Sequence, residues 1–254
     1  MVERNGGVLV LIPTYDEAAN LPSVLSRLRA TVPTADLLVI DDNSPDGTGE
    51  LADRFAASDP AIRVLHRPGK QGLGAAYLAG FGQGLAEGYS ALVQLDADGS
   101  HQPEQLPDLL AALRGADLVI GSRWIAGGSV RNWPRSRQAL SRGGNRYVRL
   151  AMSLPVRDAT AGFRAWRASA LRCVDLASVA SQGYCFQVDL TRRAVQAGCR
   201  VVEVPIEFVE RTEGESKMSG AIVREALWRV TLWGAADRLA RLRSPRAHMA
   251  RVQS

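Results

Sequence analysis

Short apolar runs rich in Val, Ile and Leu recur at Val8 to Ile12, Leu37 to Ile40, Ile62 to Leu65, Ala91 to Leu95 and Leu118 to Ile120, and stretches of helical periodicity separate them. Runs that stay apolar at every position suit strands buried on both faces. The pattern therefore predicts βαβ units and an α/β fold, with a mostly parallel sheet flanked by helices. Ligands of such sheets bind beyond the carboxyl ends of the strands. Those ends are polar here: Pro13-Thr14-Tyr15-Asp16-Glu17, Asp41 to Gly47, Asp96 to His101, and Gly121-Ser122-Arg123. Four polar clusters on one sheet edge predict one site.

Beyond Arg123 the pattern changes. A helix is expected over about 136–154, with Leu140, Tyr147, Ala151 and Leu154 on one side and Arg135, Arg142, Arg146 and Arg149 opposite. A basic amphipathic helix of this kind can lie in the interface of an anionic membrane. The alternative is a surface helix that packs its apolar side on its own domain, and Gly143 and Gly144 weaken it as a free-standing helix. A second helix is expected over 221–243. Ile222, Ala226, Val230 and Trp233 form one stripe, while Trp228, Leu232 and Leu239 point elsewhere. Its two tryptophans favour a membrane interface, and burial against the sheet is again the alternative. The reading is one domain over 1–243 and a basic tail, 244–254, expected to be disordered.

Composition narrows the class. With 254 residues, 46% of them hydrophobic and 22% charged, the chain can bury a sizeable core. No apolar run approaches the roughly 20 residues that span a bilayer. The N-terminus passes into the first strand without a cleavage pattern, so no secretory signal is expected. Cys173, Cys185 and Cys199 have neither CxxC nor metal spacing and are expected to be buried thiols in a reducing compartment. Formal charge is +5, and the only lysines are Lys70 and Lys217. Arginine suits phosphate recognition, although a genome-wide base bias gives the same usage. The arginines are not interleaved with aromatic platforms, so nucleic acid is not an expected partner.

Two aspartates one residue apart at a strand end repel each other unless something neutralises them. Mg²⁺ or Mn²⁺ does so with one or two carboxylates when phosphate oxygens complete its shell. Asp96 and Asp98 supply the carboxylates, with Ser100 or His101 as third partner. On its own the pattern also describes a solvated turn capping the helix that starts near Pro103. Tyr15 and Glu17 can seat a base or ribose, and Asp42 can accept from a base N–H or a ribose hydroxyl. Each alone also reads as a turn or cap. Lys70-Gln71-Gly72-Leu73-Gly74 is a short glycine loop before a helix, and it is not a dinucleotide fingerprint.

Taken in order, IPTYDEAANL, VIDDNSPDGT, KQGLGAAY, QLDADGSH, GSRW, DATAGFRAW, GYCFQVDL and RTEGESKMS resemble the polyprenyl-phosphate (dolichol-phosphate) mannosyltransferases of glycosyltransferase family 2. The resemblance runs from about Val8 to Ser219. It implies a GT-A fold that binds GDP-mannose and transfers mannose, with inversion, to a polyprenyl monophosphate on the cytoplasmic side of a membrane. Pro13, Tyr15, Glu17 and Asp42, with Asp41 as neighbour, match nucleotide-binding positions, and Lys70, Asp96, Ala97 and Asp98 belong to the same donor site. Asp96 and Asp98 match the metal positions. Ser100 stands at the third, often glutamine, and a hydroxyl is the weaker ligand. Arg123, Arg137 and Ser141 match positions near the acceptor phosphate, and Arg211 and Lys217 match a basic loop over the donor. Asp98, Arg123, Arg211 and Lys217 are the implied catalytic set. Asp189 replaces the glutamate of many relatives, and Asp158, Thr160, Gly162 and Phe163 are expected to shape the floor between donor and acceptor.

The chemistry agrees with that mapping. A phosphate monoester has a second pKa of about 6 and is already an anion near neutrality. It needs no general base, and neither His66 nor His101 is expected to act as one. Two rivals stand beside this reading: a UDP-glucose-dependent glucosyltransferase on the same lipid, and a non-catalytic membrane-surface scaffold. Membrane contact is expected through the interfacial helices, the lipid substrate, or a separate anchoring protein.

Overall fold

All five apolar runs become strands of one seven-stranded sheet, ordered β3-β2-β1-β4-β7-β5-β8, in a computed structural model that describes residues 6–179, 184–210 and 220–243. In chain order the elements are β1 (Val8–Thr14), α1 (Leu21–Thr31), β2 (Asp36–Asp41), α2 (Thr48–Ser58), β3 (Ile62–His66), α3 (Leu73–Ala86), β4 (Ala91–Gln94), α4 (Leu106–Leu113), β5 (Leu118–Ser122), β6 (Ser129–Arg131), α5 (Arg135–Met152), β7 (Arg164–Arg167), α6 (Ala168–Cys173), α7 (Tyr184–Gln196), β8 (Val201–Pro205), β9 (Glu207–Val209) and α8 (Gly220–Arg243). β1, β2, β3 and β4 pair in parallel, as do β5 and β8. The sequence pattern did not reveal β7, which runs antiparallel between β4 and β5. Because it is reversed, its N-terminal end lies at the edge where its neighbours end. That brings the 158–163 loop to the site.

Alternate strand residues feed two cores, as the period of two requires. Leu9, Leu11, Leu38, Ile40 and Leu92 pack with α3, α6 and α7 on one face. Val10, Ile12, Leu37, Val39 and Val93 pack with α1 and α4 on the other. β6 and β9 form a separate two-stranded parallel ribbon that carries Trp133 and Phe208 to the mouth of the site.

Helix α5 forms where expected, but its expected apolar face is divided. Asn145, Val148 and Met152 face the core and Ala151 packs against it, whereas Leu140, Tyr147 and Leu150 are exposed, Leu150 by 63%. The helix thus satisfies both alternatives at once: one stripe packs on the domain and another stays bare. In α8, Val230 is buried and Trp233 packs on the core, so this stripe follows the burial alternative. Leu227, Trp228, Leu232 and Leu239 are exposed, while the side chains of Ile222 and Ala226 lie outside the described residues, as does the tail 244–254. Among the described residues no helix is long and apolar enough to cross a membrane. Cys185 is buried as expected, but Cys173 is exposed.

The two helices meet at Gly234, where an added Cβ would collide with the carbonyl oxygen of Ala151. Backbone cannot swing aside as a side-chain end can. Gly234→Val should therefore lower stability by about 1–3 kcal/mol, the usual range for overpacking, and loosen α8 from α5. Thermal denaturation and amide exchange in α8 check this. An unchanged melting temperature and unchanged protection would contradict it.

Candidate active site

A single cleft of about 870 Å³ crosses the carboxyl edge of β1, β2, β4 and β5 and continues under α5 and α8. Pro13, Tyr15, Glu17, Asp42, Lys70, Asp96, Ala97, Asp98, Ser100, Arg123, Arg137 and Ser141 all line it. Arg211 and Lys217 lie outside the described residues. Asp41 differs from its neighbours. Its buried carboxylate accepts from Thr14 Oγ1 at 3.1 Å, Ser44 Oγ at 2.6 Å and Ser44 N at 3.1 Å. It does not line the cleft and instead holds the turn that presents Asp42.

At the first end, Lys70 Nζ sits 3.4 Å from the centre of the Tyr15 ring. Asp42 accepts from Arg67, which sequence reading missed, and from Gln71 N at 3.2 Å. The loops after β1 and β2 are tied together by Asp16 N donating to Ser44 Oγ and Glu17 N donating to Thr48 Oγ1. Asp16 and Asn43 sit at φ of 60° and 58°, a left-handed conformation that Asp and Asn tolerate best among residues with a side chain.

The paired aspartates come next. Asp96 Oδ1 accepts from the Tyr77 hydroxyl at 2.7 Å. Burial, then the Asp96 charge, pushes the Tyr77 phenol well above its ordinary pKa, so it remains a donor. Asp98 Oδ1 accepts from Ser100 N at 3.0 Å. The backbone N–H of Asp96 donates to His101 Nδ1 at 3.2 Å, while the ring lies 5.3 Å from Phe163, stacked on it. That nitrogen is therefore engaged. An added Cβ at Gly162 would lie 3.1 Å from Asp96 Oδ2, so the glycine keeps that carboxylate face clear. Among the described residues no group of three or more His, Cys, Asp or Glu is placed to hold a metal. Two carboxylates alone fit a hard divalent cation whose shell is completed by phosphate oxygens and water, and do not fit a closed protein site.

At the second end, both arginines expected near the acceptor phosphate hold carboxylates. Arg123 Nε and Nη2 donate to Asp158 Oδ2 and Oδ1 at 2.8 and 2.7 Å, and Nη2 reaches Thr160 Oγ1 at 2.9 Å. Burial alone would raise the Asp158 carboxyl, but the charge and hydrogen bonds of Arg123 outweigh it and hold the pKa below the usual range. The Arg123 guanidinium lies 5.4–5.7 Å from the ring centres of Trp124, Trp133 and Phe208. Arg137 lies over Trp133 at 4.2 Å and pairs with Glu210. Thr160 and Gly162 line the floor as expected, whereas Asp158 and Phe163 support it from behind. The cleft then ends among Leu140, Tyr147, Val148, Leu227 and Val230, beside the bare stripe of α5 and α8.

Other residues of the quoted motifs and strand ends also stand apart from the cleft. His66 pairs with Asp53 at 2.9 Å, Asp189 accepts from Arg193 Nε at 3.0 Å, and neither they nor Asp41 line the cleft. Tyr77 and Gln187 stand inside quoted motifs, yet only burial next to Asp96 and Gln94 reveals what they touch.

Known proteins share the sequence and the fold of this chain. Residues 9–175 match the model of "Glycosyl transferase family 2". The chain is 58% identical over 237 residues to the undecaprenyl-phosphate mannosyltransferase of Micrococcus luteus, covering 93% of this chain and 98% of that one. It is 55% identical to the polyprenol monophosphomannose synthase of Mycolicibacterium smegmatis, covering 92% and 89%. Among solved structures it resembles the glucosyl-3-phosphoglycerate synthase of Mycobacterium tuberculosis, in complex with Mn²⁺, UDP-glucose and phosphoglyceric acid (TM-score 0.64, 20% identity, 91% and 80% covered). It also resembles a mannosyltransferase of Pyrobaculum calidifontis in complex with GDP-mannose and Mn²⁺ (TM-score 0.54, 16% identity, 98% and 79% covered). The chain belongs to glycosyltransferase family 2 and, within it, to the polyprenyl-phosphate mannosyltransferases.

Proposed function

We propose that this enzyme takes mannose from GDP-mannose and transfers it, with inversion at the sugar, to a polyprenyl monophosphate at the cytoplasmic face of a membrane. The observation that carries the proposal is the continuity of the cleft. One end is polar and floored by two carboxylates, the middle is rimmed by Arg123 and Arg137, and the far end is apolar and opens beside exposed leucines and Trp228. A nucleotide sugar, a phosphate and a polyprenyl chain suit these three parts in turn.

Asp96 and Asp98 would hold Mg²⁺ or Mn²⁺, which offsets the charge of the donor diphosphate and of the leaving group. Mn²⁺ beside GDP-mannose in the Pyrobaculum enzyme supports this choice. Tyr77 orients Asp96 through its hydrogen bond. Tyr15, Glu17, Asp42 and Lys70 are proposed to seat the nucleotide, with Asp41 supporting the turn behind Asp42. Arg123, Arg137 and Ser141 would receive the acceptor phosphate, and Arg211 and Lys217 would cover the donor. An acceptor phosphate oxygen attacks the sugar C1 as the C1–O bond to the diphosphate breaks, and GDP departs. No proton need be removed, because the acceptor is already anionic. Holding two polyanions in line is then the main catalytic task. Contact with the membrane is assigned to the bare stripe of α5 and α8, alone or with a separate anchoring partner.

Radiolabelled donors decide the donor question. Vesicles containing polyprenyl phosphate should gain label from GDP-mannose and not from UDP-glucose; the reverse result would replace this reading with the glucosyltransferase. Arg137→Ala should raise the KM for the lipid phosphate about 10–100-fold, the scale of a charge-assisted hydrogen bond, with little change in donor KM. A change confined to the donor would contradict its placement.

A further inference from the structure

Trp166, Gln94 and Gln187 form a buried line from the core to the cleft floor, and even Gln187 is only 4% exposed. An indole N–H can only donate. Trp166 Nε1 therefore makes its 2.9 Å contact with the oxygen of the Gln94 amide, which leaves the Gln94 nitrogen to face Gln187. Gln187 Oε1 accepts from it, at a long 3.5 Å. This chain of donors sets the Gln187 amide: its oxygen points back into the protein and Nε2 is left as a donor. Nε2 is buried without a hydrogen-bond partner, and Gln187 lines the cleft. The backbone behind it is fixed, because the Gln187 carbonyl oxygen accepts from Arg164 Nη1 and Thr191 Oγ1, both at 2.9 Å.

A buried donor without an acceptor is costly, and sites that keep one discriminate strongly between ligands that satisfy it and ligands that do not. The chemistry of the missing acceptor follows from its surroundings. Gln187 lines the same cleft as Asp96 and Asp98, which follow Gln94 by two and four residues. An anionic phosphate would be met there by a cation, whereas a neutral amide suits a neutral oxygen. We propose that Gln187 Nε2 donates to a hydroxyl of the hexose carried by the donor nucleotide, and thereby helps select which sugar is transferred. The inference rests on the nucleotide-sugar reading given above and adds to it a residue that reads the sugar.

The test compares wild type with Gln187→Met, which removes the donor at similar volume, and with Gln187→Glu, which keeps the shape but presents acceptors only. Each is assayed with GDP-mannose and with its 2-, 3-, 4- and 6-deoxy analogues, and GDP binding is titrated in parallel. With GDP-mannose the Met variant should lose about 10–100-fold in kcat/KM, the scale of an unmet buried hydrogen bond, and GDP binding should change by less than about twofold. With one deoxy donor, wild type and variant should become equal. An equal loss with every donor, a parallel loss of GDP binding, or no loss at all would overturn the role. If the Met variant does not fold, the Glu variant must show the same donor-specific equality. If wild type uses UDP-glucose instead, the donor reading fails, and the deoxy-glucose series applies the same criterion to Gln187 separately.

Discussion

Asp98→Asn should lower mannose transfer by about a thousandfold or more, since a substitution that removes a charge from a metal site forfeits several kcal/mol of leaving-group stabilisation. The fold should survive. Asp98 is half-buried, and its hydrogen bond to Ser100 N is a local cap that an asparagine oxygen can also accept. The variant should therefore melt close to wild type while binding Mn²⁺ weakly, which electron paramagnetic resonance reads directly. Full turnover at low metal concentration would refute the role given to Asp98. Asp96→Asn should be as inactive, and it should also disturb Tyr77, whose buried hydroxyl donates to Asp96 Oδ1.

The largest effect on stability is expected at Asp158. Its side chain is fully buried and accepts two hydrogen bonds from the Arg123 guanidinium and one, at 3.0 Å, from the Arg123 backbone N–H. Removing one member of a buried pair leaves the other charge without compensation, typically a loss of about 3–5 kcal/mol. Asp158→Ala should show that loss by denaturant unfolding. Asp158 has a depressed folded pKa, so its contribution is complete above the unfolded value of about 4 and fades as pH falls towards the folded value. The gap between wild type and variant should thus be constant near neutrality and narrow in acid. Replacing both partners, as Arg123→Met with Asp158→Leu, should recover much of the stability yet leave transfer undetectable. Recovery of activity in that double variant would remove Arg123 from the acceptor site.

The strands and the site edge were legible in sequence because buried parallel strands and polar strand ends differ in composition as well as in place. β7 was not legible, since Arg164-Ala165-Trp166-Arg167 carries two arginines; only the fold reveals that Arg164 is buried and donates to the carbonyl oxygens of Ala159, Ala161 and Gln187. Asp96 and Asp98 were legible as carboxylates suited to a metal, while Lys70, Arg123 and Arg137 were singled out through the family resemblance, and all five line the cleft. The ion pairs were not legible, because Arg67 with Asp42, Arg123 with Asp158 and Arg137 with Glu210 join positions 25 to 73 residues apart. Periodicity placed α5 but could not decide which apolar stripe packs, because that depends on where α8 crosses it at Gly234. Gln187 was visible only as a letter in a motif. Its role emerges from the order of donors and acceptors that starts at Trp166.

The anomeric configuration of the purified mannosyl lipid, read by NMR, tests most directly whether the acceptor phosphate attacks the donor sugar in a single displacement. GDP-α-mannose should give only the β-linked mannosyl phosphodiester. An α-linked product, or mannose attached anywhere other than the lipid phosphate, would contradict direct transfer in this cleft.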